Sequence, residues 1–97
     1  MFVKICGIPH EVIERDDNFD IECHLGQIDF KQAVIILNKG MAPAVKEETL
    51  FHEILHGMLV HIGKQELSDD EQFVTSLSNA IYQTFQLRGE ELWEKNT

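Results

Sequence analysis

The sequence predicts an α+β domain in which the strands come first and the helices last. Three observations predict it. Residues 2–38 hold short apolar, β-branched runs separated by turn residues. Residues 43–88 hold apolar positions at helical spacing, and the two regimes do not alternate along the chain. Ninety-seven residues suffice for one domain, 1–97, with a modest core.

Phe2-Val3-Lys4-Ile5-Cys6 alternates loosely, Gly7-Ile8-Pro9 punctuates, and His10-Glu11-Val12-Ile13-Glu14 resumes an extended pattern. Together they read as a hairpin. Arg15-Asp16-Asp17-Asn18 is a polar loop, and residues 21–30 form a weaker strand in which Gly26 suits a bulge or a turn. Phe30-Lys31-Gln32 links it to Ala33-Val34-Ile35-Ile36-Leu37-Asn38, which is apolar on both parities and therefore a buried strand. A small antiparallel or mixed sheet over 2–38 follows. Pro43 suits the first turn of a helix that runs to about Ile62, with Gly63 as its stop. On that helix Phe51, Leu55, Met58 and Ile62 form the stripe expected to meet the core. A second helix is expected over 69–88, capped by Ser68, and an acidic tail, 89–97, holds Trp93.

The formal charge of −9, with only eight Lys and Arg, argues against nucleic acid as a partner, because phosphate binding needs a basic surface. No apolar run is long enough to cross a membrane, and the first residues lack the basic start and long apolar stretch of a signal peptide. These features predict no membrane association and a cytoplasmic address. Cys6 and Cys23 lack metal-binding or redox spacing and are expected as free thiols, Cys6 as a small buried hydrophobe.

The chemistry concentrates in His52-Glu53-Ile54-Leu55-His56, an HExxH motif. On a helix, residues four apart lie one above the other, so His52 and His56 can hold one metal ion. Glu53 stands about a quarter-turn away, where it can act as general base without ligating the metal. A catalytic zinc needs a third protein ligand. His61 is rejected, since on a continuous helix it points about 180° from His52 and about 140° from His56. Glu71, in the first turn of the second helix, stands at the edge of the expected helix–helix contact. Ser68-Asp69-Asp70-Glu71 is equally an S-x-x-E capping box, in which Glu71 would bond the Ser68 backbone N–H. Spacing leaves the two roles of Glu71 open, with Asp70 as the other nearby carboxylate.

Glu71-Gln72-Phe73-Val74 on the helix after HExxH resembles the gluzincin pattern. The chain is similar to the small ImmA/IrrE-type metallopeptidase-like proteins of phages and mobile elements, and to the minimal gluzincins called minigluzincins. The likeness runs through Leu25-Gly26-Gln27-Ile28-Asp29, Thr49-Leu50-Phe51, Leu67-Ser68-Asp69-Asp70-Glu71 and Leu77-Ser78-Asn79-Ala80. It implies a zincin-like fold, one zinc ion held by His52, His56 and Glu71, and a peptide or protein substrate hydrolysed with Glu53 as base. It also implies the host cytoplasm as the address if the chain is phage-encoded. The rival reading is a zinc-stabilised accessory protein that binds a partner without cleaving it, for which nothing requires Glu53. A further arrangement would set Cys6 or Leu92-Trp93-Glu94 into the open coordination position. Tyr82, His10, His24 and His61 are weaker candidates for oxyanion support.

Overall fold

The computed structural model describes residues 1–16 and 25–87. The end of the expected polar loop, the start of the expected third strand, Cys23, His24, Arg88 and the tail lie outside them. In chain order the elements are β1 (Phe2–Ile5), β2 (Ile8–Arg15), β3 (Gly26–Asp29), β4 (Val34–Asn38), α1 (Pro43–His61), α2 (Gln65–Ser68) and α3 (Glu71–Leu87). The α+β order, strands and then helices, is as expected.

Cys6 and Gly7, with φ of 50° and 85°, make the two-residue turn between β1 and β2. Positive φ at both positions gives the turn a twist that matches the flanking strands. That placement leaves the Cys6 thiol exposed, not buried as expected, because Cys6 belongs to the turn and not to a strand face packed on the core. Pro9 is tolerated inside β2 because its ring nitrogen faces the β4 side, where pairing begins only at Glu11.

Among the described residues the sheet order is β1-β2-β4-β3. β2 and β4 run parallel, and the β1–β2 and β3–β4 pairs are antiparallel, so the sheet is mixed. β4 lies between two neighbours, and Ile35, Ile36 and Leu37 are all buried, as their unbroken apolar run requires. Among the described residues β3 pairs with β4 on one side and with no strand on the other. Ile5, Val12, Ile35 and Leu37 pack against Leu50 and Ile54 of α1. Each fully buried aliphatic side chain contributes about 1.5–3 kcal/mol.

Helix α1 buries two faces. Leu50, Ile54 and Gly57 meet the sheet, while Leu55 and Leu59 meet Val74 and Phe73 of α3. The expected single core stripe is therefore corrected. Leu55 is buried and Phe51 half-buried against Tyr82, but Met58 and Ile62 are 40% and 60% exposed. A helix between two layers spreads its apolar contacts around the cylinder, and no one 3.6-residue stripe describes it.

Gly57 sets the approach of α1 to the sheet. A Cβ there would stand 3.0 Å from Ile5 Cδ1 and 3.1 Å from Ile28 Cδ1. Gly26 does the same from the strand side, where a Cβ would stand 2.9 Å from Thr49 Cγ2. α1 ends as Gly63 predicts. With φ of 82°, Gly63 donates to Val60 O and Lys64 donates to Leu59 O, closing the last carbonyls. The next segment departs from expectation: a separate turn, α2, intervenes, and Ser68 closes it rather than capping α3. The cap of α3 is Asp70, whose Oδ1 accepts from Phe73 N at 3.1 Å and whose carbonyl accepts from Val74 N. Among the described residues no helix is long and apolar enough to cross a membrane.

Gly57→Val should destabilise the domain by about 1–3 kcal/mol, since fully buried Ile5 cannot retreat from the added methyls. Urea unfolding of the variant beside the parent checks this. An unchanged midpoint would mean that the helix–sheet spacing is not set at Gly57.

Candidate metal centre

Three donor side chains converge where α1 meets the first turn of α3. His52 Nε2 lies 3.1 Å from Glu71 Oε1, and His56 Nε2 lies 3.0 Å from Glu71 Oε2. The two Nε2 atoms stand 3.2 Å apart. Within the described residues this is the group of three metal-ligating side chains that could hold an ion. Tetrahedral coordination with bonds of about 2.0–2.1 Å places ligand atoms about 3.3–3.4 Å apart. The two Nε2 atoms, 3.2 Å apart, are spaced close to an edge of that tetrahedron, and each has a different Glu71 carboxylate oxygen at 3.0–3.1 Å. Two imidazoles and a carboxylate suit a divalent transition metal of zinc's type. The residues present therefore fit a metal ion.

Local structure explains each position. His52 and His56 share one edge of α1, between the face packed on the sheet and the face packed on α3. Glu71 is the first residue of α3, and the turn of α2 carries the chain back so that this residue faces the α1 edge. The capping-box role is not the one adopted. The Ser68 N–H donates to Lys64 O at 3.1 Å, while the Glu71 carboxylate faces both histidines. Asp70 is occupied as the cap of α3.

Ser68 is a residue the motif reading passed over. It is buried, and its Oγ lies 3.0 Å from His56 Nδ1. With the Nδ1 hydrogen donated to that oxygen, Nε2 keeps its lone pair free for a metal, and the ring is held in the ligating orientation. The signal was present as the serine three residues before Glu71, but it reads as a helix cap in sequence. Burial holds the His52 imidazole below its ordinary pKa, and His56 adds to that, against the opposing pull of Glu71. The neutral ring, which is the ligating form, is thereby favoured.

Glu53 is only 7% exposed. It lies outside the three-donor group yet lines the same cleft. Burial, and then the Glu71 charge, raise its pKa from 4.5 to about 7. The cleft has a volume of about 900 Å³. Its floor is β3 with Phe30, one wall is the Glu48–His56 edge of α1, and the other is α2 with the start of α3. His10, His61 and Tyr82 do not line it. His61 is exposed and stands edge-on to His10 and Phe30, with ring centroids 5.8 and 6.4 Å apart, and Tyr82 packs on Phe51. No family model, curated protein or solved structure matches the chain.

Two measurements follow from this geometry. Metal titration of Glu71→Gln and Ser68→Ala should show weakened binding, by about 10–100-fold for the serine and more for the ligand. Asp70→Asn, which keeps a capping side chain, should bind as the parent does. Equal affinities across all three would remove the metal centre. In the metal-free protein, Glu53 binds its proton more tightly when folded, so the fold loses stability as pH rises from 4.5 through 7. Glu53→Gln should therefore be more stable than the parent at pH 8, by up to about 3 kcal/mol, and the difference should vanish below pH 4.5. Thermal unfolding against pH reads it, and a difference that grows toward acid would reverse the assignment.

Proposed function

We propose that the chain is a zinc-dependent peptidase of gluzincin type, with His52, His56 and Glu71 as ligands and Glu53 as general base. Its likeness to the ImmA/IrrE-type and minigluzincin proteins belongs to the same proposal. The observation that carries it is Glu53, a buried carboxylate beside the three-donor group that is not one of its members. A metal site serving only stability has no use for such a group, because burying a carboxylate is unfavourable. A carboxylate whose pKa lies at about 7 is suited to take and return a proton at neutral pH.

Bound zinc would acidify a coordinated water and polarise the scissile carbonyl. The chain's own residues supply the rest. Glu53 accepts the proton of the attacking water and delivers it to the departing amine, so that the peptide bond breaks to a carboxylate and an amine. Ser68 keeps the His56 ring turned toward the site. β3 lines the same cleft as the triad, and its main-chain groups on the side away from β4, unpaired among the described residues, can pair with an extended substrate as an added strand. Burial of Glu53 keeps bulk water from competing for its proton.

Glu53→Gln tests the proposal. In zinc-loaded protein it should abolish hydrolysis of any peptide the parent cleaves while leaving zinc content at the parent's level, since it removes the base and no ligand. Retained activity would refute Glu53 as the base. A parent that binds zinc and peptides but cleaves none would instead support the accessory-protein reading.

A further inference from the structure

The charge of the cleft points to a substrate class. Among the described residues, four carboxylates line it, Glu48, Glu53, Asp69 and Glu71, and no lysine or arginine does. Two of the four belong to the reaction centre. A divalent metal offsets the charges of Glu71 and Glu53, leaving Glu48 and Asp69 as uncompensated negative charge. Their placement is not symmetric decoration. Glu48 lies one helical turn before His52 on α1, and Asp69 follows Ser68, the residue that touches His56. The two carboxylates therefore border the cleft near the donor triad, Glu48 a turn from His52 on α1 and Asp69 next to Ser68 in sequence.

The path of an extended chain through the cleft is set by β3. Gly26 abuts Thr49, and Ile28 abuts the backbone at Gly57, so β3 runs alongside α1 from its Glu48 end toward its His56 end. A peptide lying along β3 would follow the same line through the cleft that both carboxylates border. Asp69 Oδ1 already accepts from the Gln65 amide at 3.0 Å, which fixes its position without neutralising it. The formal charge of −9 gives the surrounding field the same sign.

We propose that the cleft selects peptides bearing lysine or arginine near the reacting bond, with Glu48 and Asp69 as the specificity-determining residues. This rests on the peptidase reading for its chemistry but not for its binding preference. Like-charge juxtaposition rejects acidic peptides, and opposite charge recruits basic ones. Because both carboxylates border an open cleft, their effect is screened by salt, with a Debye length of about 8 Å at physiological ionic strength.

The experiment compares matched peptides that carry Lys, Gln or Glu at the flanking positions. Hydrolysis is measured with the zinc-loaded parent, and binding by fluorescence anisotropy with zinc-loaded Glu53→Gln. The expected result is a Lys-over-Glu preference of roughly tenfold or more in both, reduced severalfold in Glu48→Gln and in Asp69→Asn, and compressed in 0.5 M salt. Both positions are exposed, so these variants should fold as the parent does. Cleavage or binding with no Lys preference, or a preference that both variants retain, overturns the inference and leaves the peptidase reading intact. Lys-selective binding without cleavage overturns the peptidase reading and leaves the inference intact. Absence of both binding and cleavage overturns both.

Discussion

The position of α1 is the constraint on which the rest of the molecule depends. One helix is packed against the sheet through Leu50, Ile54 and Gly57 and against α3 through Leu55 and Leu59. Only the edge between those faces is left for the cleft, and His52 and His56 occupy it. Close approach to the sheet is available because Gly57 and Gly26 present no side chain at the contact. The same approach buries Glu53, which stands beside His52 in sequence but turns toward the sheet side. A looser helix would leave that carboxylate in water, and its proton affinity would be ordinary.

Two glutamates in one small site thus receive opposite environments. Glu71, at the start of α3, is exposed and faces two imidazoles. Glu53 is enclosed, and the like charge of Glu71 adds to the effect of burial, so its neutral form is favoured. Divergent environments give a pair of carboxylates different proton affinities and so suit them to different chemistry. Ser68 ties the two helices to one geometry, because it holds His56 from the turn that also delivers Glu71. The arrangement at α1 and the arrangement at α3 are consequently not independent.

Much of this was legible in the sequence, and the limits have physical causes. The strand-then-helix order followed from periodicity, and the helix stop at Gly63 from its conformational freedom. The His52/His56 pairing followed from helical spacing alone. The role of Glu71 did not, since Ser68-x-x-Glu71 satisfies the capping box and the metal geometry equally well. The tie was broken by α2, a single turn whose only sequence trace is the short stretch between Gly63 and Asp70. That turn moved the cap to Asp70 and freed Ser68 for His56. The stripe ending at Met58 and Ile62 misled because a helix pressed from two sides has no single apolar face. The burial of Glu53 is a tertiary fact, and no local pattern encodes it. The direction of β3 along α1, and with it the charge bordering the cleft, also required the fold.

The central claim is that α1 and α3 together build a three-ligand metal centre from His52, His56 and Glu71. Zinc K-edge X-ray absorption on protein loaded with one equivalent of zinc tests it most directly. The account predicts a low-atomic-number first shell at about 2.0–2.1 Å, with the outer-shell scattering of two imidazoles and no sulfur. A sulfur shell at about 2.3 Å, a single imidazole, or a spectrum indistinguishable from aqueous zinc would contradict it.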